Sequence, residues 1–115
     1  MSVKRIGSGP RMSQAVVHGN TVYLAGQVAE KPVPSVKKQT EQILKSIDRL
    51  LKQAGTDKSK IVSANVWLSD IRTFDEMNAA WDAWVSKGNA PARATVEAKL
   101  AGTQFLVEIM VQAAL

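Results

Sequence analysis

The spacing of hydrophobic and polar residues changes several times along this chain. Residues 15–18 and 21–26, AVVH and TVYLAG, are short β-branched and aromatic runs separated by Gly19 and Asn20. That pair tolerates the positive φ of a tight turn, so the stretch predicts a β-hairpin. A shorter strand is expected around Val3 to Ile6. From Ser35 the period lengthens, and Val36, Thr40, Ile43, Leu44, Ile47, Leu50 and Leu51 recur at three- and four-residue steps. This is the stripe of an amphipathic helix, opened by Pro34 and the N-cap candidate Ser35 and stopped by Gly55. Residues 61–68, IVSANVWL, are nonpolar or small on both faces, as a central strand requires. A second helix is expected from Thr73, where Thr73 and Glu76 have capping-box spacing, through Phe74, Met77, Trp81, Trp84 and Val85, ending before Gly88. Two more strands, Ala92 to Leu100 and Phe105 to Ala113, flank a predicted turn at Ala101 to Gln104.

The order is β-β-α-β-α-β-β with one extra strand at the start. It predicts an α+β fold in which both helices cover one face of a single mixed sheet, with residues 1–115 forming one domain. The opposite face would still carry apolar residues such as Leu106 and Met110. Large exposed apolar patches are rare on soluble monomers, so a homo-oligomer is expected to cover it.

One strand departs from the apolar habit of the others. In PARATVEAKL, residues 91–100, alternation places Arg93, Thr95, Glu97 and Lys99 on one face. Ala92, Ala94, Val96, Ala98 and Leu100 fall on the other, which is expected to be core. If Leu100 sits opposite Phe105, Glu97 lies directly across from Glu108. Parity alone sets Glu108 between Leu106 and Met110, a carboxylate in an apolar row whose burial would raise its pKa. Two explanations fit: a solvated ion-pair ladder, or an anion pocket in which a guanidinium grips a carboxylate while a nearby acid handles a proton. Periodicity does not choose between them.

Composition narrows the chemistry. With 115 residues, 45% of them hydrophobic and 22% charged, the chain is an ordinary globular one. It has no cysteine, which excludes disulfides, thiolate metal sites and a cysteine nucleophile, and the single His18 leaves metal binding almost unsupported. His18 itself flanks the hairpin turn and is read as a turn residue, while Trp67, Trp81 and Trp84 are read as core or interface anchors. No run is long enough to span a bilayer, and MSVKRIGSGP lacks a secretory apolar core, so a soluble, cytoplasmic protein without a membrane partner is expected. The net charge of +5 includes Lys37, Lys38, Lys45, Arg49 and Lys52 on the first helix. Glu41 and Asp48 are interspersed and no aromatic residue accompanies them, so they read as a solvated helix face, and no nucleic-acid partner is expected.

SQAVVHGNTVYLAGQVA (residues 13–29), FDEMNAAW and NAPARATVEAKLAGTQFLVEI together resemble the RidA/YjgF family of enamine/imine deaminases over nearly the whole chain. The resemblance implies a chorismate-mutase-like fold, a homotrimer with clefts between subunits, and hydrolysis of 2-aminoacrylate or its imine tautomer to a 2-keto acid and ammonia. It implies no metal or organic cofactor. By position, Arg93 resembles the arginine that grips the substrate carboxylate and Glu108 the acid beside the imine and water. Ala25, Gly26, Asn78 and Thr95 resemble positions that shape the substrate site. Met12 stands where the family has a tyrosine, Ala25 where serine is frequent, and Thr95 where cysteine or another small residue is common. Those substitutions leave open a trimer that binds or protects without turnover, and an RNA-directed activity sometimes attributed to the family has only the positive charge behind it. Arg11 is read as a surface arginine rather than a second anion contact.

Overall fold

A computed structural model describes residues 2–115; Met1 lies outside the described residues. Six strands form one sheet: β1 (Val3–Ile6), β2 (Ala15–His18), β3 (Thr21–Leu24), β4 (Ile61–Leu68), β5 (Ala92–Glu97) and β6 (Val107–Ala114). Their spatial order is β1-β2-β3-β6-β4-β5. Only β4 and β5 run parallel, joined through helix α2 (Phe74–Trp84). The sheet is therefore mixed, and α2 packs beside α1 (Val36–Ala54) on one of its faces.

Local chemistry sets the elements. The Gly19–Asn20 turn joins β2 and β3, with His18 opposite Thr21. Ser35 caps α1 by accepting a hydrogen bond from the Lys38 N–H, and Gly55 closes the helix in the left-handed conformation at φ +91°. The stripe of α1 then buries Ile43, Ile47 and Leu51 completely against Val22, Val66, Ile109 and Val111 of the sheet. Each such side chain contributes about 1.5–3 kcal/mol of transfer free energy. Gln39, fully buried among them, is satisfied by the Val33 and Gln104 carbonyls and the Leu106 N–H, and so pins the segment before β6 to the helix.

Several expectations are corrected. β5 and β6 do not form a hairpin: β6 lies between β3 and β4, and Glu108 faces Trp67 rather than Glu97. A predicted turn does occupy residues 101–104, but it serves a connection that passes the end of β4, where Ala98 donates to Leu68 and Leu106 accepts from Ser69. The reason lies in the ladder. β6 is apolar at every second position and lacks cations, so a central place pairs both of its edges, whereas the charged β5 tolerates the sheet edge.

The faces of β5 are also exchanged. Arg93 and Thr95 stand in register with the buried Ala64 and Val66 and so point to the helix side, while Ala92, Ala94 and Val96 are exposed on the open side. The strands are shorter than expected, ending at Glu97 and starting at Val107. α2 stops at Trp84, where Val85 turns extended. Its capping box does not form, because the Thr73 hydroxyl donates to the Asp70 carbonyl within a preceding 3-10 turn, Ile71–Thr73.

Candidate functional site

Arg93 leaves the edge strand towards α2. Its guanidinium carbon lies 4.9 Å from the Trp81 ring centroid and 5.8 Å from that of Phe74, and Nη1 is 3.8 Å from the Met77 sulfur. Phe74, Met77 and Trp81 fall three and four residues apart, so one face of the helix presents all three to the cation. Burial pulls the arginine pKa below its ordinary value, and Asp82 partly opposes this. The group still stays protonated. The described residues hold two ion pairs, Arg49–Glu30 and Arg72–Asp70, and Arg93 is in neither. A half-desolvated cation held by π faces and a thioether keeps its parallel donors free for an anion.

Beside it opens a hollow of about 400 Å³ lined by Ile71, Phe74, Arg93 and Thr95. The Thr95 hydroxyl is buried without a hydrogen-bond partner. Such an orphan costs about 1–3 kcal/mol, and a turn about χ1 towards an acceptor in the hollow would relieve it. Asn78, half-buried, lies one turn beyond Phe74 on the same helix face.

Glu108 occupies the other face of the sheet. It shares a row with Trp67 and Val96 and borders a recess of about 230 Å³ with Trp67, Lys99 and Leu100. Gly26 abuts its carboxylate, and a Cβ there would overlap Oε2. The close approach is fixed from both sides. Gln27 bridges to Ile109 through two backbone hydrogen bonds, and its buried side chain donates to the Ala25 carbonyl and to Gln14. Burial raises the Glu108 pKa above the usual carboxylate range, placing it nearer the pH at which a carboxyl group can both take and return a proton.

Arg93, Thr95 and the nearby Asn78 thus form one group, and Glu108, Gly26 and Ala25 another, on opposite faces of the same sheet. Met12 is 48% exposed in the loop before β2, its carbonyl accepting from the Gly9 N–H, and Arg11 is exposed beside it. His18 is exposed at the end of β2. Among the described residues, no three of His, Asp or Glu come close enough to hold a metal ion. Sequence reasoning missed the aromatic seat of Arg93. The Phe74–Met77–Trp81 stripe is legible as a buried helix face, but nothing in it announces that a guanidinium lies across it. Gln27 was equally silent, since a polar residue after a strand carries no sign of what it bridges.

The chain as a whole is similar to known proteins. A family model described as Endoribonuclease L-PSP matches residues 3–115. A RutC family protein from Haemophilus influenzae is 41% identical over 112 residues, which are 96% of this chain and 97% of the relative. RutC family protein YoaB from Escherichia coli is 42% identical over 114 residues, 99% of each chain. The crystal structure of a YjgF-family protein from Neisseria meningitidis, 40% identical, superposes with a TM-score of 0.97 over 99% of this chain and 95% of that one.

Proposed function

The chain belongs to the YjgF/RidA family, and from that premise we propose that it hydrolyses small 2-imino acids, and the enamines that tautomerise to them, to 2-keto acids and ammonia. The observation that carries this reading is Arg93: a half-buried guanidinium without an ion pair, seated between two aromatic rings beside an open hollow. Its two parallel donors match the carboxylate that every such substrate carries.

The chemistry asks little more than position and proton handling. Water adds to the electrophilic imine carbon as Glu108 takes its proton. Glu108 returns that proton to the nitrogen, giving a neutral carbinolamine, and the hydroxyl proton then passes through Glu108 to the amine as the C–N bond breaks, the carbonyl forms and ammonia leaves. Imine and water are consumed, keto acid and ammonia are produced, and the carboxyl group ends as it began. General acid–base catalysis of this kind contributes about 10²–10⁴-fold, and fixing the carboxylate supplies the orientation that makes the addition effectively unimolecular.

Because Arg93 and Glu108 sit on opposite sheet faces, the site takes its arginine from one copy and its acid from another. We place it in the clefts of a homotrimer built on the open face. There Val96 (49% exposed), Tyr23 (43% exposed), Trp67 and Met110 await cover. Residues 1–115 act as one domain in this assembly. The test is to generate 2-aminoacrylate with a dehydratase and follow imine decay. Acceleration by the native protein, lost in Arg93→Ala, is expected; equal decay with both overturns the reading. Light scattering that finds a stable monomer at micromolar concentration overturns the shared site.

A second reading rests on Met12 and Ala25, which stand where the family's tyrosine and serine hydroxyls are frequent: a trimer that binds keto acids in the same clefts without turnover. Saturable binding with no change in imine decay would favour it. The endoribonuclease description of the matching family model finds support in this chain only in its net charge of +5. RNA binding that weakens steeply with salt would be its signature.

A further inference from the structure

A separate hollow of about 360 Å³ lies along α1, lined by Glu30, Lys31, Gln42, Lys45, Ser46 and Arg49. The last four recur at three- and four-residue steps, so one stripe of the helix faces the loop that carries Glu30 and Lys31. That loop is fastened to the stripe. The Lys31 N–H donates to Gln42 Oε1, and Gln42 Nε2 returns a hydrogen bond to the Lys31 carbonyl, both at 2.9 Å. The root of a long cationic side chain is thereby fixed at the rim.

Ser46 forms the floor and is only 4% exposed. Thr40, also buried in α1, donates its hydroxyl to the Val36 carbonyl. Ser46 makes no such bond among the described residues, and its oxygen is not sealed from solvent as that of Thr95 is. A hydroxyl neither bonded nor enclosed opens onto the hollow its residue lines. Above it stand three cations and one carboxylate. Arg49 Nη1 meets Glu30 Oε1 at 3.3 Å, but with side chains 56% and 66% exposed that pair is weak and yields readily to a competing anion. Lys31 and Lys45 are in neither ion pair of the described residues. Three positive groups against Glu30 leave two charges unanswered around one hydroxyl.

We infer that this hollow binds a small molecule through a phosphomonoester group. Such a group carries close to two negative charges and three strong acceptor oxygens, enough for the two lysines, the Arg49 fork and the Ser46 hydroxyl. A carboxylate or a phosphodiester brings only one charge and leaves the other cation unmatched. The volume lies within the range of small-molecule sites, about 300–1,000 Å³, and the aliphatic stems of Lys45 and Arg49 give the rest of the ligand an apolar wall. None of these residues belongs to the Arg93 or Glu108 groups, so the site stands apart from the deaminase reading.

The experiment titrates the purified native protein at fixed ionic strength with inorganic phosphate, glycerol 3-phosphate, dimethyl phosphate and acetate by calorimetry, and maps the bound site by amide NMR shifts. Phosphate and glycerol 3-phosphate are expected to saturate one site per chain and to shift residues 30–31 and 42–49. Dimethyl phosphate and acetate should bind at least about tenfold more weakly. Lys45→Ala and Arg49→Ala, both on the exposed side of α1, should each weaken glycerol 3-phosphate about tenfold, and Ser46→Ala about threefold. Glu30→Gln should tighten it about threefold by releasing Arg49. No saturation, shifts confined to the surroundings of Arg93, or affinity unchanged in both Lys45→Ala and Arg49→Ala overturns the inference. So does equal competition from an oligoribonucleotide without a terminal phosphate, which would show that backbone charge alone is read, or binding to phosphatidic acid vesicles without binding to glycerol 3-phosphate, which would make the hollow a membrane contact.

Discussion

The two halves of the candidate site solve opposite problems. Around Arg93 the protein surrounds a cation with rings, a thioether and a hollow, and leaves its charge unanswered. Around Glu108 it brings the Gly26 backbone so close that a Cβ there would displace the carboxylate, and burial raises the pKa of that acid. On the proposed function, one half receives a negative ligand and the other exchanges a proton. Their separation onto two faces of one sheet means that, on the reading proposed above, one copy cannot bring both groups to the same substrate.

The comparison breaks most visibly if the arginine is removed. Arg93→Ala is expected to lower kcat/KM for imine hydrolysis by about 10²–10⁴-fold, the worth of a bidentate charge-assisted pair. Arg93→Lys should recover little of it, because an ammonium cannot present two parallel donors or stack on Trp81. Stopped-flow decay of the imine reads both, and a native-like Arg93→Lys would show that charge alone matters.

Mixing sharpens it further. Arg93→Ala and Glu108→Gln chains, each inactive alone, are expected to regain about a quarter of native activity when co-expressed in equal amounts, since a site shared between neighbours is intact in about one of four random pairings. A site built within one chain would regain nothing.

The pH profile separates the acid from its surroundings. As the base, Glu108 must be ionised, so kcat/KM should fall as pH drops through a pKa lying above the ordinary carboxylate range, and Glu108→Gln should abolish that limb. The stability effect has the opposite sense. A carboxyl whose folded pKa is raised favours the native state below its unfolded pKa and loses that contribution as pH rises through the folded one. Glu108→Gln should therefore unfold at higher denaturant than the native protein at pH 7, the difference vanishing near pH 4. Gly26→Ala, which crowds the same carboxylate, should lower kcat by about tenfold while leaving keto-acid affinity within about threefold.

The smallest effect belongs to Thr95. Thr95→Val removes an unpartnered buried hydroxyl and should stabilise the free protein by about 1 kcal/mol. If the hydroxyl turns to meet the ligand, the same change should weaken keto-acid binding several-fold. Stabilisation without weaker binding would assign Thr95 to packing alone.

Much of this molecule is legible in its residues. The α1 stripe with Ser35 and Gly55 at its ends, the Gly19–Asn20 hairpin, the inner strand at 61–68 and the apolar row broken by Glu108 all follow from spacing of 3.6 or 2 and from turn chemistry, which act over a few neighbours and so are written locally. Arg93 stood out within the one charged strand, and Glu108 as a lone carboxylate in an apolar row. Tertiary structure alone decided that β6 slips between β3 and β4, which reversed the faces of β5 and sent Arg93 to the helices rather than to Glu108. Strand order depends on which edges can be left unpaired across the whole sheet, and that comparison joins residues some ninety positions apart. No short stretch of sequence contains it, and the separation of cation from acid is its direct consequence.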